Sequence, residues 1–323
     1  MSINSKIQEL NLDISGIIGH FEGGNSSVLK VKLANNSVLA LKFYKGSAKR
    51  VEQMQTRELN AINFLKGQDF RNIPEIVENR RDLGLIVFKW IEGSSPPADT
   101  KSMDSIIEMC LRLGNLERGG LFFDNAIDAA YSITEIENQI KLRLHELSNQ
   151  LSSNFSRSLI SKYELMFKRY KSTNKKKQAL FGHTFSVSDL GTHNILCKDN
   201  KFIFIDFEFF GKDSITKMVS DFLLHPKNEF STDDISKFVE AISNEFNWDP
   251  STLELIGPIL CLKWSLIAFK RSLNEIYLEN TYYSEESILK NSIGMKYLEF
   301  FDFLISSIEV QRFPTFQQFT GIV

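Results

Sequence analysis

At Gly93–Thr100, "GSSPPADT", the hydrophobic pattern of the chain changes period. Before it, apolar residues alternate with polar ones or run in short blocks, as in strands that send successive side chains to opposite faces. After it they return every three or four residues, the spacing of one helix face. Two prolines with Gly and Ser continue neither pattern. The segment therefore reads as a linker (93–100) between a β-rich lobe over residues 1–92 and a mainly helical lobe over residues 101–323.

Within the first lobe, "SGIIGHFEGG" leads into "SSVLKVKLA", an "NN" turn and "SVLALKFYK". "RVEQMQTRELNAINFLKG" then places Met54, Leu59, Ile62 and Leu65 at helical spacing and stops at Gly67. Two further strands flank "RRDLG", so the order is β-β-β-α-β-β. Beyond the linker, helices are predicted over Lys101–Glu117, Ile133–Leu151, Ser156–Tyr170, Asp233–Asn247, Thr252–Tyr277 and Ser284–Ile308. The basic run "KRYKSTNKKKQ" reads as a solvated loop.

A chain of 323 residues, 42% of them hydrophobic, buries one large or two medium cores. A net charge of -2 gives no electrostatic reason to expect nucleic acid as a partner. Cys110, Cys197 and Cys261 have no metal-ligand or CxxC spacing and read as reduced, buried thiols of a cytoplasmic protein. The N-terminal stretch is polar and lacks a signal-peptide core. "LELIGPILCLKWSLIAF", interrupted by Pro258 and Lys263, reads as a buried helix rather than a membrane span. The 27 Phe residues suggest an aromatic-rich core.

Several residues fit phosphoryl transfer, which asks a protein mainly for positioning and charge neutralisation. "GHFEGGNSS" offers Gly23 and Gly24 for close approach to an anion, with Asn25, Ser26 and Ser27 as short polar groups. It lacks the Walker pattern, and a simple hairpin turn is the plain alternative. Lys42 lies inside the apolar strand "VLALKFY", costly unless its ammonium meets a partner or an anion; an edge-strand lysine reaching solvent is the alternative. Glu58, on the following helix, is a partner for it, with Glu52 as a substitute.

Asp189 and Asn194 sit in one loop, "DLGTHN", and Asp206 ends the strand "KFIFID". In that strand Phe202, Phe204 and Asp206 share one face, so a buried carboxylate at its end needs a cation or donors. Asp206 is the position expected for a Mg²⁺ ligand; a turn or capping Asp is the alternative.

"SDLGTHNIL…FIFIDFEFFG" resembles the catalytic loop and metal segment of the aminoglycoside phosphotransferase and choline kinase group, and "IDFE" (Ile205–Glu208) looks particularly like the choline kinase version. "GGNSSVLKV", "LALKFY", "RELNAINFL" and "LIVFKWIEG" follow in the order and spacing of that group's nucleotide lobe. The resemblance implies an α+β, protein-kinase-like two-lobed fold. By it, Asp189 matches the catalytic base or hydroxyl-orienting Asp, Asn194 a metal-binding amide and Asp206 the principal Mg²⁺ ligand. Lys42 and Glu58 match the phosphate-anchoring pair, and Asp221 the helix Asp that supports the catalytic loop through its backbone. Two positions depart from the usual pattern: Val187 replaces a loop-bracing His, and Ser188 replaces Gly. His193 is a polar extra beside Asn194, whereas His183 and His225 read as structural.

The short span from Asp206 to Asp221 holds no A-P-E motif and leaves little room for a peptide-docking segment. The expected reaction is Mg²⁺-dependent transfer of the γ-phosphate of ATP or GTP to a small-molecule hydroxyl acceptor: a sugar, an aminoglycoside or a choline-like amino alcohol. The alternative is a nucleotide-binding or scaffolding pseudokinase. Acceptor contacts are expected among Glu208, Glu240, Glu245, Trp248, Asp249, Lys263, Trp264, Lys270, Arg271 and Glu275.

Overall fold

Five antiparallel strands, in the order β1-β2-β3-β5-β4, carry the N-terminal segment: β1 (Ile14–Glu22), β2 (Ser26–Leu33), β3 (Val38–Tyr44), β4 (Ile76–Arg80) and β5 (Leu85–Lys89). The computed structural model describes residues 3–118, 123–151, 153–174, 182–279, 292–306, 315 and 318. The period-2 pattern of β3 sorts its two faces. Leu39, Leu41 and Phe43 join Leu29, Val31, Leu85 and Val87 in one core, capped by Leu10 and by Ile3 and Ile7 of α1 (Ile3–Gln8). Lys42 and Tyr44, on the opposite face, meet α2 (Ala48–Gly67). Ser47 caps α2 by accepting the Arg50 N–H. The β4–β5 turn needs glycine: Gly84 has φ +63, and a Cβ there would lie 2.7 Å from Val51.

Chain contacts divide the protein into two units, Met1–Pro97 with Thr192–Gly211, and Ala98–Gly191 with Lys212–Val323. Residues 192–211 lie within the span 101–323 expected for the helical lobe. The hairpin of β7 (Ile195–Lys198) and β8 (Lys201–Phe204) instead groups with the first unit. Backbone bonds account for it. Ser94 and Cys197 exchange N–H···O bonds of 3.2 and 2.8 Å, and Phe204 N–H donates to Asn72 at 2.9 Å. The linker glycine permits that pairing, since a Cβ on Gly93 would lie 3.0 Å from the Cys197 carbonyl.

The second unit contains α3 (Thr100–Arg118), α4 (Ile133–Ser148), α5 (Ser153–Thr173), β6 (Thr184–Ser186) paired with β9 (Gly211–Asp213), α6 (Ile215–Leu224), α7 (Thr232–Phe246), α8 (Thr252–Glu279) and α9 (Ile293–Ser306). Helix α8 is long and apolar enough to cross a membrane, yet 78% of its apolar window is buried against neighbours, with α4, α5 and α9 around it. Many of the phenylalanines pack inward: Phe222 lies 4.4 Å from Phe238 and 5.9 Å from Phe230, ring centre to ring centre, whereas Phe21 and Phe303 are exposed.

Several expectations need correction. Helix α5 runs through Lys168–Thr173, the start of the basic run read as loop; residues 175–178 lie outside the described set. The predicted helix start at Ser284 and its end at Ile308 also lie outside it. Helix α6, on which only Asp221 was expected, does space Ile215, Met218, Val219 and Phe222 at helical intervals, yet all ten of its residues are buried, the polar ones included. Cys110 and Cys261 are buried, whereas Cys197 is only half-buried.

Candidate active site

Lys42 occupies the centre of the sheet, between β2 and β5, so the edge-strand reading does not apply. It is 6% exposed, and its Nζ lies 2.5 Å from Glu58 Oε2, 2.8 Å from Asp206 Oδ1 and 3.5 Å from Glu208 Oε2. Burial alone would push this ammonium down, but the charges of Asp206, Glu58 and Glu208 outweigh it and hold Lys42 above the usual lysine range. Glu58 is 1% exposed and fully engaged: the Tyr44 hydroxyl also donates to Oε2, and Phe207 N–H donates to Oε1 at 3.3 Å. Glu52, the substitute partner, is exposed. Tyr44 escaped sequence reasoning because nothing in an alternating strand marks a tyrosine as the second donor to a helix carboxylate.

Strand β8 ends at Phe204, two residues before Asp206, and Phe202 and Ile203 are only half-buried. Asp206 therefore does not share a strand face with the two phenylalanines. It adopts φ +67, a left-handed conformation that aspartate tolerates better than most residues. Glu208, expected at an acceptor site, instead joins the Lys42 cluster of the first unit, where it is 2% exposed and its Oε2 lies 3.5 Å from Lys42 Nζ. Asn194 ends a short 3₁₀ turn (Thr192–Asn194), is buried, and accepts the Ile205 N–H through its carbonyl at 2.9 Å.

Three carboxylates thus face one lysine. Oxygens of Glu58, Asp206 and Glu208 all lie within 4.8 Å of one another. Glu208 Oε2 is buried without a hydrogen-bond partner among the described residues. Burial and then the Asp206 charge push the Glu208 carboxyl up to about 7, against the pull of Lys42. A buried oxygen short of donors, beside a second carboxylate, is the donor set a hard divalent cation such as Mg²⁺ takes. Asp206 and Glu208 have the capacity, while Glu58 is already spent on its three donors.

The glycine loop is a tight turn between β1 and β2. Gly23 N–H donates to the Ser26 carbonyl at 2.9 Å, and Lys45 N–H donates to the Asn25 carbonyl at 2.8 Å. Arg50 holds the Asn25 side chain at 3.0 Å. Neither Gly23 nor Gly24 has positive φ, so the turn does not use that freedom. The backbone amides of Gly24 and Asn25 donate to nothing among the described residues, so an anion finds two N–H groups there. Ser26 and Ser27 are buried, and Ser27 bonds His20 at 2.8 Å.

Asp189 belongs to the second unit, on the loop after β6. Val187, where the resemblance expects a bracing His, is buried, and Ser188 has φ +64, which explains why glycine suits that position. Among the described residues, Asp221 pairs with Lys217 at 2.7 Å and accepts the Trp264 indole N–H at 3.0 Å. The loop backbone is held by Asn228 instead, whose amide donates to the Leu190 carbonyl at 3.0 Å. His225, read as structural, lies 3.2 Å from the Asp189 carboxylate.

Among the residues expected to touch an acceptor, Trp248 is a core residue that donates to Thr216 at 2.8 Å. Asp249 is engaged at the start of α8 by Ser251, and Lys270 pairs with Glu146 at 3.3 Å. Lys263 is buried, and Trp264 is half-buried on α8. Glu240 and Arg271 are exposed, His183 lies against Tyr131 and His193 is exposed. The Glu275 side chain lies outside the described set.

No family model matches the sequence, and no curated protein matches it. Solved structures do match. Choline kinase LicA from Streptococcus pneumoniae superposes with a TM-score of 0.61 at 14% identity, over 94% of this chain and 98% of that one. Aminoglycoside phosphotransferase APH(2'')-Ib, bound to ADP, gives 0.55 at 16% identity over 89% and 97%. Spectinomycin phosphotransferase APH(9)-Ia, with ADP and spectinomycin, gives 0.56 at 12% identity over 99% and 96%. The chain therefore has the kinase-like α+β fold of these proteins, across nearly its whole length.

Proposed function

We propose that the protein is a small-molecule kinase that transfers the γ-phosphate of ATP or GTP to a hydroxyl of a sugar-like or amino-alcohol acceptor. The observation that carries this reading is Lys42 on the central strand, 2.5 Å from Glu58 and 2.8 Å from Asp206. A buried ammonium pinned by a helix carboxylate is pre-set to receive phosphate oxygens, and Gly24 and Asn25 add backbone donors. Asp206, Asn194 and Glu208 would hold Mg²⁺, which when bound neutralises charge on the phosphates. Asp189 orients the acceptor hydroxyl and takes its proton as the new O–P bond forms. The bond from γ-phosphorus to the bridging oxygen breaks, and the nucleoside diphosphate leaves. Solved structures of the same fold are named as choline kinases and aminoglycoside phosphotransferases, in line with an alcohol acceptor.

The reading is tested with γ-labelled ATP and GTP, Mg²⁺, and a panel of sugars, aminoglycosides, choline and ethanolamine. A labelled product is expected, and a wild-type protein that binds neither nucleotide would sink the reading. Asp206→Asn should weaken Mg²⁺-dependent nucleotide binding at least tenfold. Loss of a group that only hydrogen-bonds a metal ligand already costs about 10–100-fold in metal affinity. Calorimetric affinity equal to wild type would remove Asp206 from the metal.

A further inference from the structure

The geometry points to His225 as the positioning residue of the Asp189 carboxylate, an inference that rests on the phosphotransferase reading above. His225 Nε2 lies 3.2 Å from Asp189 Oδ1. Its other nitrogen, Nδ1, accepts the Lys227 backbone N–H at 3.1 Å. An amide N–H only donates, so Nδ1 must offer its lone pair and the ring proton sits on Nε2, facing the carboxylate. The backbone thus selects the tautomer that donates to Asp189.

Local sequence builds this arrangement. Pro226 follows His225 and keeps it out of the helical region: His225 closes α6 with φ -68 and ψ 126. The ring is buried and stands edge-on to the Trp264 indole, centroids 5.4 Å apart at 88°. That indole is itself fixed by its N–H bond to Asp221. Three residues after His225, Asn228 holds the Leu190 carbonyl, so the "HPKN" turn grips both the side chain of Asp189 and the backbone beside it. Ser188, a non-glycine residue at φ +64, is a conformation that persists only where neighbours over-determine it. With Val187 in place of the usual loop histidine, an imidazole from the end of α6 reaches the catalytic carboxylate.

A donated N–H fixes the rotamer of Asp189 and so the oxygen it presents to the acceptor. A misplacement of about 1 Å in a reacting group can cost roughly 10²-fold in rate. His225→Leu removes the donor. His225→Gln puts an amide N–H near the place of Nε2. In the full chain, Leu should lower the transfer rate about 10–100-fold with the nucleotide KM unchanged, and Gln should recover most of that loss. The ¹⁵N spectrum of the wild-type imidazole should show the Nε2-protonated tautomer, with an N–H signal that Asp189→Ala loses to solvent exchange.

Equal rates for wild type and both variants, with Asp189→Ala inactive, would overturn the inference and leave the kinase reading standing. Equal losses in Leu and Gln at unchanged melting temperature would also overturn it, since packing and not the donor would then matter. Wild-type protein that transfers phosphate to no acceptor, water included, would overturn both. An Nε2–H signal indifferent to Asp189 overturns the inference even where His225→Leu does not fold.

Discussion

Asp189→Ala should slow phosphate transfer by roughly 10²–10⁴-fold, the usual contribution of a group that orients a hydroxyl and accepts its proton. Nucleotide affinity should hardly change. The nucleotide-binding groups proposed here, Lys42, Glu58, Asp206 and the glycine turn, have their bonding partners within the first unit, and Asp189 lies in the second. Asp189→Asn refines the result. It keeps the shape and an oxygen for the His225 N–H but lacks basicity. If Asn falls as far as Ala, charge and proton acceptance carry the effect; if it retains much of the rate, orientation does. Single-turnover rates beside calorimetric nucleotide affinities separate the two. Wild-type turnover in Asp189→Ala would remove this residue from the chemistry.

The Lys42 cluster was the more legible in the sequence, for a local reason. Strand alternation placed Lys42 opposite the apolar face of Leu41, and a buried lysine demands a carboxylate, which a following helix supplies. Glu208 was misplaced because its nearness in sequence to Asp206 says nothing about which way a turn directs it. The grouping of segment 192–211 with the first unit was hidden for a related reason: it depends on backbone bonds to Ser94 and Asn72, which no side-chain pattern announces. The second unit was harder still. His225 and Asn228 act on a loop far earlier in the chain, and Trp264 reaches Asp221 from another helix. Helix α6 hides its own charges: Lys217 and Asp221 look like surface residues at helical spacing, and burial on every side of the helix makes them core.

That core lysine sets the largest stability effect. Lys217 is fully buried, with Nζ 2.9 Å from Asp213 and 2.7 Å from Asp221. Asp213 also accepts the Ala130 and Ser214 amides, and Asp221 accepts the Trp264 indole. Lys217→Met fills similar volume but leaves two buried carboxylates without the cation between them. Breaking a buried pair from one side typically costs about 3–5 kcal/mol. Lys263, held below the usual lysine range by burial and by the Lys217 charge, stays within reach of Asp221 and keeps the loss from growing further.

The pH dependence carries a sign. In wild type, burial pushes Asp221 up, but Lys217 foremost holds it below the usual carboxylate range. Burial pushes Lys217 down, but Asp213 and Asp221 hold it above the usual lysine range. The Asp221 contribution is present above the ordinary carboxylate value of 3.8 and is lost as pH falls through its lowered folded value. The Lys217 contribution is present below 10.5 and is lost as pH rises through its raised folded value. Between those limits the wild-type pair adds no slope. In Lys217→Met, burial acts on Asp221 with Lys217, its strongest opponent, gone and only Lys263 and the Trp264 N–H left to oppose it, so the native state is expected to hold the proton more tightly than the unfolded chain. Stability of the variant then falls as pH rises, and its deficit in urea unfolding should be larger at pH 8 than at pH 5. A deficit that stayed the same at both values would mean that Asp221 is not left charged and uncompensated. Because Asp221 also fixes Trp264, and Trp264 packs on His225, the same variant should slow transfer under conditions where it remains folded.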